Sequence, residues 1–280
     1  MKKVCVLLTS CFVFGQEPPP RTWTNVTSLS LVATTGNTSG NTIGFSDKYT
    51  KKWSLMTLTI NGGMIRSETT FIRHSGKGTS LDNATVYEER SSSVTAENYT
   101  MSARFDYRLK DKDRWYWYGG TSWEQNLPIG LESRTAISAG MGRILADTKS
   151  KWRIDVGLGA TREQPTYPPA GYQNEFGTFN LTSSYQRTFH GNINYNTDLE
   201  CTYNLKKIED SLYIFKQGIA VTMTKGTSLK IGLNMNYRNI PGLISVAAYT
   251  PDTPPEHLGN LIISAKKLDT TATTSLVISF

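Results

Sequence analysis

The chain has 280 residues, 38% of them hydrophobic and 11% aromatic, with 23 glycines, 14 tyrosines and 6 tryptophans. That length suits one large all-β domain as well as two small ones. A mean hydropathy of −0.37, and the lack of any apolar run near the ~18 residues a spanning helix needs, argue against helical membrane spans, while a formal charge of +7 is too mild to name a partner.

The N-terminus reads as an export signal over residues 1–15, leaving a domain over 16–280. Lys2 and Lys3 form a basic start, Val4 to Phe14 a short apolar stretch, and Val13 and Gly15 are tolerated just before a cut at Gln16. The competing reading is a buried N-terminal strand. Leu8-Thr9-Ser10-Cys11 also looks like a lipid-attachment box, but cleavage there leaves an unusually short signal and an apolar Phe12-Val13-Phe14 behind it. Cleavage before Gln16 removes Cys5 and Cys11, so Cys201 stands alone without an intramolecular disulfide or a cysteine metal site. It also removes Lys2 and Lys3, taking the charge to +5.

From there on, the pattern alternates with period 2. Tyr99, Met101, Ala103, Phe105 and Tyr107 share one face, against Asn98, Thr100, Ser102, Arg104, Asp106 and Arg108. Trp152, Ile154, Val156, Leu158 and Ala160 alternate in the same way with Lys151, Arg153, Asp155, Gly157, Gly159 and Thr161. The stretches 192–205 and 228–238 repeat the pattern. The spacing predicts strands near 22–35, 41–50, 53–66, 94–109, 113–124, 131–145, 151–163, 175–189, 191–205, 211–224, 227–238 and 268–280. These are about 12 strands, each long enough to cross a membrane when tilted, whereas ordinary globular strands average about 5–6 residues.

Alternate links are tight: Thr50-Lys51-Lys52, Lys110-Asp111-Lys112, Asp147-Thr148-Lys149, Phe189-His190-Gly191 and Lys225-Gly226. The others are mostly longer, with 67–93 and 239–267 the largest. Sorting of loop lengths onto two rims is a property of transmembrane barrels, and a soluble sandwich has no reason for it. The expected fold is therefore an all-β, transmembrane, antiparallel up-and-down β-barrel, exported to the cell outer membrane and in contact with its lipid. Trp23, Trp53, Trp115, Tyr116, Trp117, Trp152, Tyr213 and Phe215 gather at strand ends, where interfacial rings belong. Asp47 fits poorly, because it shares parity with Ile43, Phe45 and Tyr49 and so falls on the lipid face.

The chain closes on TATTSLVISF, and Leu276, Ile278 and the terminal Phe280 resemble the terminal-strand signal read by the barrel assembly machinery. Ser28-Leu29-Ser30-Leu31 runs into Thr35-Gly36-Asn37-Thr38, and Asp106-Tyr107-Arg108-Leu109 precedes Asp113-Arg114-Trp115. Glycine alternates in Ala139-Gly140-Met141-Gly142 and Val156-Gly157-Leu158-Gly159-Ala160. Together these resemble the YdiY-like family of salt-induced outer-membrane proteins, a bacterial family whose own function is unknown. The resemblance covers nearly all of residues 16–280 and implies an outer-membrane barrel assembled by that machinery; it implies no activity.

Enzyme chemistry finds little support, and no catalytic, cofactor or metal residues are assigned. His74 in Arg73-His74-Ser75-Gly76 is faintly like the His/Ser pairing of an outer-membrane phospholipase, but the order is wrong and adjacent residues on an extended chain point to opposite faces. His190 reads as a turn residue and His257 as a loop residue. No phosphate loop, zinc spacing or nucleic-acid module is present.

The lumen is the candidate site. Polar parity directs Arg104, Arg108, Arg114, Arg134, Lys151, Arg153, Lys216, Lys230 and Arg238 inward against Asp106, Glu132, Asp155, Asp198 and Glu200, nine cations to five anions. A narrow bore with such an excess attracts anions, unless the charges pair across it and close it, as inward side chains do in small barrels. Three functions follow as expectations: a narrow, anion-leaning pore for small solutes; a closed structural or surface-interaction barrel with long outer loops; and, last, a barrel hydrolase.

Overall fold

The computed structural model describes residues 22–34, 38–77, 85–110, 114–169, 171–189, 191–249 and 257–279. The expected signal at 1–15, His190 and Phe280 lie outside them.

The strands are β1 (Trp23–Thr34), β2 (Thr38–Lys52), β3 (Met56–Lys77), β4 (Thr85–Arg108), β5 (Trp115–Asn126), β6 (Leu131–Ala146), β7 (Ser150–Pro165), β8 (Glu175–Phe189), β9 (Ile193–Asn204), β10 (Ser211–Thr222), β11 (Thr227–Arg238), β12 (Leu243–Tyr249), β13 (His257–Ser264) and β14 (Leu268–Ser279). Neighbours in sequence pair antiparallel from β1 to β11. β14 then pairs with β11 and with β1, closing a barrel of twelve strands, while β12 and β13 form a separate two-stranded sheet. The twelve strands read from alternation are the twelve in the wall.

The barrel is apolar outside and polar inside. Leu158 and Ile231 are each 63% exposed, whereas the buried residues include Asp155 and Glu163, each 2% exposed. Such an outward apolar wall is stable only against lipid. Trp23, Trp53, Trp115 and Trp152 are exposed at the rim that carries the short turns. Near the other rim Phe179, Tyr203, Tyr213 and Tyr237 run ring to ring around β8–β11, with centroids 5.9–6.2 Å apart. These are the two interfacial girdles of a spanning barrel. Asp47 keeps its awkward parity. It lies on the outer face opposite Gly62, accepts a 2.6 Å bond from the Thr27 hydroxyl, and sits two residues from Tyr49, which stacks on Trp23. Its place near the turn rim limits the cost of a carboxylate there.

The turns are built by short polar side chains. The Asp147 carboxylate accepts bonds from Lys149 N (2.7 Å), Ser150 N (2.5 Å) and Ser150 Oγ (2.8 Å), closing β6 onto β7. These bonds, the one from Lys149 N foremost, hold the Asp147 carboxyl below its usual range.

Two regions read as loops are different in the structure. Most of 67–93 is strand, because β3 and β4 run on past the membrane as a paired hairpin to Lys77 and Thr85, with a bulge between Ser67 and Glu68. Ser- and Thr-rich segments keep β propensity but lose apolar alternation once neither face meets lipid. His74 therefore belongs to β3, opposite Glu88, and not to a loop. Within 239–267 lies the hairpin of β12 and β13, outside the wall.

The seam between β1 and β14 is short, pairing Val26–Leu29 with Leu276–Ser279. Leu276 and Ile278 are exposed on its outer face, opposite Leu29 and Thr27. The hydroxyls of Ser30 and Ser275 bond to each other behind it.

Candidate functional site: a charged lumen crossed at two levels

Inward glycines shape the first level. Gly140 and Gly142 on β6 and Gly157 on β7 carry no side chain where the rings of Tyr116 and Tyr118 lie; a Cβ at Gly142 would meet Tyr116 and Asp155, and one at Gly157 would meet Tyr118. The glycine alternation in the sequence is thus a pair of slots for two inward tyrosines. Tyr116, grouped by sequence with the interfacial rings, is 2% exposed and faces the lumen, since alternation on β5 turns it away from exposed Trp115 and Trp117.

Arg104 and Arg153 stack on these rings, 3.8 Å from Tyr118 and 4.7 Å from Tyr116. Each arginine then bridges two carboxylates. Arg104 reaches Asp106 and Asp155, both at 2.8 Å, and Arg153 reaches Asp106 at 2.9 Å and Asp155 at 3.2 Å. The Tyr116 hydroxyl also donates to Asp155. β4 and β7 are three strands apart in the wall, so this square of charges is a brace that ties non-adjacent strands together inside the lumen. Tyr116→Phe should cost about 1–2 kcal/mol, because it leaves a buried carboxylate short of one donor. The urea midpoint of the refolded protein measures it, and an unchanged midpoint would mean that the two arginines satisfy Asp155 by themselves.

A second level lies toward the rim with the longer links. Glu163 is about 26 Å further along β7 than Asp155, at ~3.3 Å per residue. It accepts from Arg134 at 2.8 Å, Arg238 at 2.7 Å and the Tyr172 hydroxyl at 2.8 Å. Arg134 also meets Glu124 at 3.2 Å, and Arg238 meets Asp210 at 3.2 Å. Arg238 stands on β11, four strands round the wall from β7, so this brace too ties non-adjacent strands together. Burial, then the charge of Glu163, pushes the Tyr172 phenol above its ordinary range.

Above it the mouth is crossed by backbone. The segment entering β12 packs on the turn Leu127–Ile129 between β5 and β6, five strands away round the wall. Gly130 has φ 77° and Gly242 is equally bare; a Cβ on Gly130 would strike the Leu243 carbonyl, and one on Gly242 the Ile129 carbonyl. Ala265 N donates to Gly242 O at 2.9 Å and ties the far end of the hairpin to the same place.

The remaining lumen residues fall into two groups. Lys216 pairs with Glu200 at 3.0 Å, and Ser184 Oγ donates to Asp198 at 2.5 Å. Lys48, Lys52, Arg108, Lys151 and Lys230 have no carboxylate within 4.0 Å among the described residues. All but Lys230 line a cavity of about 280 Å³ toward the turn rim. Two inward assignments fail. Glu132 falls in a bulge between Leu131 and Ser133, which reverses its parity and leaves it exposed beside Gln164. Arg114 lies in the turn before β5 and is exposed. Sequence reading missed Glu124, Glu163, Asp210, Lys48 and Lys52 as lumen charges, although the parity of β2, β5 and β7 carries the signal for all but Asp210, a turn residue.

No curated protein matches the chain. Among solved structures, it is similar to an outer membrane channel of Pseudomonas putida F1 at 10% identity and a TM-score of 0.47, covering 95% of this chain and 100% of that one. The KdgM porin gives 7% and 0.43, covering 91% and 99%. An anion-selective porin from Comamonas acidovorans gives 8% and 0.40, covering 92% and 99%. A family model described as "Protein of unknown function, DUF481" matches residues 27–242, and the chain belongs to that family.

Proposed function

We propose that this protein is an outer-membrane barrel, its turn rim in the periplasm, whose narrow bore passes small anions under tight restriction. The observation that carries the reading is the charge left over after pairing. The two braces consume Arg104, Arg153, Arg134 and Arg238 with Asp106, Asp155, Glu163, Glu124 and Asp210. Lys48, Lys52, Arg108, Lys151 and Lys230 remain without an ion-pair partner among the described residues. Against these five stand Asp198, a lumen carboxylate without an ion pair, and the one charge by which the braces' five carboxylates exceed their four arginines, so a net excess of three cations among the described residues concentrates anions and repels cations.

Conductance in a planar bilayer with a salt gradient tests this. The expected record is small unitary steps whose reversal potential lies on the anion side, shifting toward zero selectivity in Lys151→Gln and Lys230→Gln. Steps with cation preference, or selectivity unmoved by both substitutions, would refute it.

A second reading, a closed barrel acting through its outer surface, is favoured by the segment at Gly242–Leu243 that packs across the mouth. A correctly folded but electrically silent protein is its expected result.

A further inference from the structure

The cavity at the turn rim contains more than a generic positive field. Lys48 and Lys52 from β2, Arg108 from β4 and Lys151 from β7 converge on it from three separate parts of the wall. Lys151 lies within Coulombic reach of Lys48, Lys52, Arg108 and Arg153. Asp106 is the carboxylate in the lining, and both of its arginines already hold it. Asp198 lies within Coulombic reach of Lys48 and offsets part of one charge, but four cations gathered in one recess still repel one another, which costs stability in the empty protein. The recess also presents Thr50, Thr57, Thr59 and Gln186, groups that donate hydrogen bonds to oxygen.

We propose that this recess is a binding site for a multivalent oxyanion, a small molecule bearing several phosphate or carboxylate groups. The proposal rests on the same basic lumen as the proposed bore but requires no conduction. A single chloride neutralises one of the four cations, whereas a ligand with three or four charges neutralises most or all of the set at once. The volume of about 280 Å³, that of several water molecules, leaves room for a small multivalent anion. Lysine, a compact point charge with three rotatable donors, suits phosphate groups without demanding one fixed geometry. The recess lies inside the closed wall, so its occupant is a free solute and not the head group of a surrounding lipid.

The test is calorimetric titration of the full refolded chain in detergent with sodium tripolyphosphate, and separately with inorganic phosphate, at constant ionic strength. Tripolyphosphate is expected to saturate one site and to bind at least tenfold more tightly than phosphate. Lys48→Gln/Lys151→Gln should weaken tripolyphosphate at least tenfold. Arg143→Gln, which removes an outer-face cation lying over Trp115, should change it by less than twofold. Because Lys48 and Lys151 hold no ion pair, the double variant should fold, and Lys52→Gln alone, expected to weaken binding several-fold, serves as a second variant. No saturable binding, or equal loss in Arg143→Gln and in the double variant, overturns the site. A protein that conducts anions without binding tripolyphosphate refutes this proposal and leaves the bore. One that binds but is silent supports the site and refutes the bore.

Discussion

Glu163→Gln should destabilise the barrel by about 3 kcal/mol, the low end of the range for removing one partner of a buried ion pair. The carboxylate is 2% exposed and faces Arg134 and Arg238, both of which stay charged when it is neutralised. Glu124 and Asp210 continue to serve the two arginines at 3.2 Å, which keeps the loss from being larger. Lys216→Gln is the matched comparison. Its pair with Glu200 is nearly half exposed on both sides, and such pairs contribute less than about 1 kcal/mol. Urea unfolding in lipid vesicles, followed by tryptophan fluorescence, should separate the two variants clearly. Equal midpoints would mean that the second brace is solvated like a surface pair. Neutralising the whole cluster, Glu124, Arg134, Glu163, Asp210 and Arg238 together, should recover part of the loss, since no unpaired charge of this brace then remains buried.

Gly130→Val should unseat the segment that crosses the mouth. The residue has φ 77°, which costs a β-branched side chain on the order of 1–3 kcal/mol. The new side chain also collides with the Leu243 carbonyl, a backbone atom that moves only if β12 moves. Wall strands β5 and β6 remain paired with β4 and β7, so the barrel itself should persist. Unitary conductance is expected to rise several-fold over the wild type, or to appear where the wild type is silent. A folded variant with unchanged conductance would show that the hairpin base does not obstruct the path and that the ion-pair braces alone limit it.

The sequence by itself determined the wall. Strand alternation is written in each residue's side-chain parity, because one face meets lipid and the other water, and this pressure acts on every membrane-spanning segment. The twelve wall strands, the polar interior and the awkward outer position of Asp47 were legible for that reason. Legibility ended where the pressure ended. Beyond the membrane the apolar residues of β3 and β4 come in adjacent pairs, Phe71-Ile72 and Val86-Tyr87, and not in alternation, so the hairpin to Lys77 and Thr85 read as a loop. The bulge at Glu132 inserted one residue and reversed its direction without leaving any mark in the alternation.

Only the tertiary structure decided which inward charges meet. Arg104 with Asp155, or Arg238 with Glu163, are partners on strands three and four apart in the wall and not along a ladder, set by strand tilt and stagger that no local pattern encodes. Closure likewise decided that the glycines of β6 and β7 lie under Tyr116 and Tyr118, and that Gly130 receives the backbone of β12. Parity places a side chain inside the bore; the geometry of closure selects its partner, and with it which cations remain free.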